Sequence, residues 1–66
     1  MDVFILWHVH ELNPFKEDAK LIGVYSDEDE AQRAIQRLGG QPGFRDCPHG
    51  FEIIRYRLNR DHWTEG

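Results

Sequence analysis

His8-Val9-His10-Glu11 is the stretch of this 66-residue chain whose residue types and spacing come nearest to chemistry. On an extended strand, side chains two apart share a side, so the His8 and His10 imidazoles are placed to share a transition metal. His62 is a third candidate ligand, and Cys47 and His49 lie in a turn-rich segment from which they would complete a site. Two-residue spacing alone is common in strands, however, and Cys47-Pro48-His49 matches no tight ligand pair. The plainer reading sets both histidines on the side of the strand that carries Phe4 and Leu6, where half-buried imidazoles satisfy backbone groups. No metal or other cofactor is assigned on this basis. His8, His10 and His62 stand only as candidate ligands for an alternative reading, a metal or small-ligand binder.

Catalysis fares worse than metal binding. A nucleophilic Cys47 paired with His49 or His62 needs a neighbour that stabilises the thiolate, and Asp46 and Pro48 supply none. No Gly-rich phosphate loop, paired-carboxylate pattern or Ser-His-Asp order can be assembled, so the expectation is a protein that is not an enzyme. Arg55 and Arg57 project to one side of a strand, with Arg60 and Arg45 in reach and Phe51, Tyr56 and Trp63 interleaved, a pattern nucleic-acid binders use. Against it stand a net charge of −4 and a pI of about 5.4, which disfavour nucleic acid and anionic membranes alike. The charge is uneven: residues 1–30 carry eight acids against two lysines, and residues 31–66 carry six arginines against four acids. Arginines that defend an edge strand against aggregation are the favoured account.

The elements that must position these residues are organised around residues 26–40. Ala31, Ala34, Ile35 and Leu38 recur at i, i+3, i+4 and i+7, which predicts one amphipathic helix with a single buried stripe. Ser26 is the expected N-cap with Asp29 three residues on, and Asp27, Glu28, Asp29 and Glu30 place negative charge at the positive end of the helix dipole. Gly39 or Gly40 is expected to close the helix in the left-handed conformation, with Pro42 preventing continuation.

Residues 3–10 read as a strand that is apolar on both faces, Val3, Ile5, Trp7 and Val9 on one and Phe4 and Leu6 on the other. Such a strand belongs at the centre of a sheet. Residues 19–25 form a second strand, joined to the first by an eight-residue connection over residues 11–18, and Gly23 marks a bulge or a close backbone approach. Residues 51–58 form a third, whose apolar set changes phase near Ile53, implying a bulge or burial on both sides. The fold class is therefore α+β, a single ββαβ domain over residues 1–66. Its three-stranded antiparallel-paired sheet has order 2-1-3, with one helix packed on one face.

One helix covers one face, and the first strand still presents apolar residues on the other. Phe15, Phe44 and Trp63 from loops and tail, or a second copy of the chain, are the available shields. A domain this short buries only about 60% of its unfolded surface, and the single Cys47 permits no internal disulfide, so association is the expected supplement. The function expected is a protein-interaction module, a homodimer or an adaptor for an unidentified protein, with Trp7, Phe44, Arg55, Arg57 and Trp63 as candidate contacts. A lone cysteine, a first strand broken at His8 and no positively charged leader fit a cytoplasmic protein rather than a secreted or membrane one.

Several stretches carry a resemblance: His8-Val9-His10-Glu11-Leu12, Lys20-Leu21-Ile22-Gly23-Val24-Tyr25-Ser26, Gln41-Pro42-Gly43-Phe44, Gly50-Phe51 and Asp61-His62-Trp63-Thr64-Glu65-Gly66. Together they span nearly the whole chain, which resembles a family of short, uncharacterised bacterial proteins, a domain of unknown function. Asn13-Pro14-Phe15 departs from the shorter acidic turn of that family. The resemblance implies a bacterial, stand-alone, cytoplasmic protein and carries no activity or site.

Overall fold

The computed structural model describes residues 1–61. Three strands and a helix follow one another as β1 (Asp2–Asn13), β2 (Lys16–Tyr25), α1 (Glu28–Leu38) and β3 (Phe51–Arg57). The sheet order is β2-β1-β3, with β1 antiparallel to both neighbours, as the doubly apolar first strand requires.

The hairpin is tighter than its composition suggests. Glu11 pairs with Glu17 and Asn13 with Lys16, so only Pro14 and Phe15 remain as connection in place of the expected eight residues. The Asn13 side-chain oxygen accepts from the Phe15 N–H at 2.8 Å, an Asx-type closure that sets the reversal. Polar residues lengthen both strands here because the arm stands in solvent on both sides, and apolar alternation cannot mark a ladder that buries nothing.

Between Leu6↔Gly23 and Trp7↔Leu21, β2 carries one extra residue, Ile22, a bulge beside the expected Gly23. The bulge resets the strand's alternation. Directly opposed residues share a side, so Leu21 joins Val24 on the face of Ile5 and Trp7, instead of siding with Gly23 and Tyr25 as strict alternation predicts. β3 has no bulge: its register runs unbroken from His8↔Phe51 to Asp2↔Arg57. The phase change near Ile53 reflects apolar residues on both faces, not burial on both, with Ile53 opposite Leu6 on the helix side and the exposed Ile54 opposite Ile5 on the other.

The helix starts one residue later than expected. Asp27, not Ser26, is the N-cap, its backbone extended (φ −148°, ψ 167°) and its carboxylate accepting from the Glu30 N–H at 2.8 Å. The cap is thus Asp27 on the Glu30 N–H, while the Glu30 carboxylate pairs with Arg33, and a charged acceptor at the dipole's positive end outcompetes the Ser26 hydroxyl. Neither Gly39 nor Gly40 is left-handed. Gly39 stays right-handed (φ −60°, ψ −25°) and donates to the Ile35 carbonyl at 2.8 Å. The chain then descends through overlapping turns, Gln41 to Leu38, Phe44 to Gln41, Cys47 to Phe44 and Gly50 to Cys47, each closed by a backbone bond of 2.9–3.1 Å. Turns of right-handed sense need no positive φ.

The core lies between α1 and the sheet face carrying Phe4, Leu6 and His8. Leu6, Ala31 and Ala34 are fully buried, and the two alanines let the helix approach the sheet closely. Burying Leu6 contributes about 1.5–3 kcal/mol, so this inner layer alone is thin. His8, 1% exposed, extends it under the turn-rich segment.

Candidate interaction surface

β1 is central, so the side of its alternation that misses the helix becomes the middle of an open sheet face. One row crosses all three strands there: Val24 on β2, Ile5 on β1 and Ile54 on β3. The next contains Leu21, Trp7 and Glu52, and Val3 opposite Tyr56 lies on the other side. Leu21 and Val24 are each 56% exposed and Ile54 38% exposed, large apolar side chains turned outward in a contiguous patch. Beyond Val9 the same face becomes acidic. Glu11, Glu17 and Glu52 border a hollow of about 290 Å³ together with Cys47, His49 and Gly50.

The candidate contacts divide between the two faces. Trp7 sits half-buried on the open face. Phe44 belongs to the opposite side, with its ring 4.8 Å from His8, edge to face, and 5.6 Å from Phe51, so it shields the inner layer and not the open one. Phe15, another expected shield, is 97% exposed at the hairpin tip. Arg55 and Arg57 lie across from Phe4 and Asp2 on the helix side. There Asp2 accepts from Arg55 Nε at 2.7 Å and from a second Arg55 nitrogen, and from Arg57 Nε at 3.2 Å. These bonds, Arg55 first and Arg57 second, hold the Asp2 carboxyl below the usual carboxylate range. Trp63 and His62 fall outside the described residues.

Among the described residues the histidines do not form a shared site. His8 Nε2 donates to the Cys47 carbonyl at 2.9 Å, and its ring stands edge-on to Phe44 and to Phe51, both 4.8 Å away. The imidazole is thus a pillar for the segment above it, the plainer of its two readings. His10 is opposite Asp18 on the adjacent strand, and His49 is exposed. Among the described residues no group of three or more His, Cys, Asp or Glu side chains is disposed to hold a metal ion. The Cys47 thiol points to the Val9 carbonyl at 3.7 Å.

Two features were not legible as functional from the sequence. Asp2 looks like an ordinary strand start, and only the β1–β3 register brings it between two arginines 53 and 55 residues away. Leu21 joins the open patch only through the Ile22 bulge. Among the described residues, no helix is long and apolar enough to cross a membrane. Comparison with curated proteins and with solved structures returned no match. Over residues 1–66 the chain matches the family described as Domain of unknown function (DUF7336), and it belongs to that family.

Proposed function

We propose that this chain is a non-enzymatic interaction module that works as a homodimer, two copies meeting through their open sheet faces. The observation that carries the reading is the row Val24–Ile5–Ile54, apolar from edge to edge and uncovered by helix or by any described loop.

Exposure supports it: Leu21 and Val24 are each 56% exposed and Ile54 38% on this face. The shape agrees, since Cα extents of 36 × 30 × 12 Å describe a slab with one wide face left over. Two such slabs related by a two-fold axis stack as helix, sheet, sheet, helix, with the sheets about 10 Å apart. An axis in the interface plane near Ile5, running across β1, carries the Glu11 and Glu17 ends of the two copies to opposite rims, where charge is solvated and the acids do not face one another. The single, half-buried Cys47 needs no oxidising compartment, which supports a cytoplasmic setting.

Sedimentation equilibrium of the wild type and of Val24→Glu and Ile54→Glu tests the reading. Both positions are exposed on the open face, so a charge there spares the inner core while opposing burial. The wild type is expected at twice 7.8 kDa at tens of micromolar, and each variant at one chain per particle with its circular dichroism retained. A wild type of one chain per particle at that concentration overturns it.

A further inference from the structure

On the helix side, Asp2, Arg55, Arg57 and Arg60 line a hollow of about 220 Å³. We propose that this hollow binds a small phosphoryl-type oxyanion.

Charge and shape together point there. Among the described residues that line it, three guanidinium groups stand with one carboxylate, in a chain whose total charge is −4. A chain that is acidic overall concentrates three of its eight basic residues at one spot. Guanidinium is the side chain best matched to phosphate, because its planar fork presents parallel donors to paired oxygens. The volume is several times the ~30 Å³ share of one water, which leaves room for a phosphoryl group with part of its hydration shell.

Asp2 is the positioning residue. Its carboxylate takes two of the five Arg55 donors, leaving the others for a ligand, and also takes Arg57 Nε at 3.2 Å. Guanidinium planes fixed in advance lose less rotamer freedom when an anion arrives. The hollow accepts a compact anion and opposes an extended one. Asp27, Glu28, Asp29 and Glu30 follow β2 at the same end of the sheet, and a polyanion laid across that end meets them. The site lies on the opposite side of the sheet from the proposed dimer face, so either proposal can fail without the other.

The test is an NMR titration of the arginine Nε–Hε signals of the full chain with sodium pyrophosphate, against sodium chloride matched in ionic strength. The expected result is saturable movement of the Arg55, Arg57 and Arg60 signals, with a midpoint of about 1 mM, the strength of a few partly exposed charge pairs. Arg60→Gln, which leaves the Asp2 bonds intact, should raise the midpoint at least about fivefold, and Arg33→Gln on the helix should leave it unchanged. Shifts no larger than with sodium chloride overturn the proposal. So does an equal response to sodium acetate, or equal movement of Arg33 and Arg37. A single-stranded oligonucleotide that binds at least tenfold more tightly than pyrophosphate at the same salt also overturns it, assigning the arginines to nucleic acid.

Discussion

Replacing Gly50 with alanine probes the junction on which the inner layer is hung. Gly50 is buried, its carbonyl accepts from the Val9 N–H at 2.8 Å, and it stands where the turn-rich segment joins β3. A Cβ there would sit 3.0 Å from His8 Nε2 and 3.2 Å from Cys47 Sγ, and closer still to the Val9 carbonyl oxygen. That oxygen belongs to the backbone of the central strand and cannot swing aside. Overpacking of this kind costs about 1–3 kcal/mol. Loosening the Val9–Gly50 and His8–Cys47 bonds adds about 0.5–1.5 kcal/mol each, for a total of about 2–6 kcal/mol. In a domain of this size each kcal/mol moves the melting temperature by about 4–8 °C, so Gly50→Ala should melt on the order of 10–50 °C lower.

The assay is thermal and urea denaturation followed by circular dichroism at one fixed protein concentration, because association couples to stability. Two controls isolate the clash. At Gly23 a Cβ meets the far end of the Tyr25 phenol, 2.7 Å from its hydroxyl, and a side-chain end can rotate away, so Gly23→Ala should cost no more than about 1 kcal/mol. At Gly40 nothing lies within 4 Å and φ is not positive, so Gly40→Ala should be neutral or stabilising by up to about 1 kcal/mol. A Gly50→Ala protein that melts with the Gly40→Ala control would refute the packing described around His8.

Three further outcomes follow from the same contacts. His8→Ala empties the space between Phe44 and Phe51 and takes one donor from the Cys47 carbonyl, which keeps the Gly50 N–H, so urea unfolding should register a loss of about 2–4 kcal/mol. Asp27→Ala removes the acceptor of the Glu30 N–H and should cost about 1 kcal/mol, while Ser26→Ala stays within about 0.5 kcal/mol; equal losses would return the cap to Ser26. Asp2 has a depressed carboxyl pKa in the fold, so its contribution is present above the unfolded value and is lost as pH falls through the folded one. Melting curves should therefore place the wild type above Asp2→Asn at pH 6, with the gap closing below about pH 4; a gap independent of pH contradicts the Arg55 and Arg57 pairing.

The architecture was readable in the sequence because two patterns are unambiguous: a 3.6-residue stripe at Ala31, Ala34, Ile35 and Leu38, and a first strand apolar on both sides. Together they force a central β1, order β2-β1-β3 and one covered face. What escaped were features without a burial signature. The hairpin arm pairs through polar residues such as Glu11 and Glu17, so period-two hydrophobicity is silent about its length. The cap shifted from Ser26 to Asp27 because neighbouring residues both qualify, and the choice depends on where the helix must start to bury Ala31 and Ala34. At the candidate surface, alternation reaches Trp7, but it sets Leu21 with Gly23 and Tyr25, and the inserted Ile22 inverts everything beyond it. Phe44 was visible as an anchor, though not which face it anchors. Long-range electrostatics were least legible, since Asp2 meets Arg55 and Arg57 only once the β1–β3 register is fixed.

The account rests on the open sheet face being closed by a second copy of itself. Intermolecular NOEs in a sample mixing isotope-labelled and unlabelled chains read that contact directly. The account predicts cross-peaks from the Val24 and Ile54 methyls of one protomer to the Ile5 methyls and Trp7 indole protons of its partner, with none from Ala31 or Ala34. Intermolecular cross-peaks confined to the exposed edges of β2 or β3, or none at a concentration of about 1 mM, where even a dimer of micromolar affinity is fully formed, would contradict it.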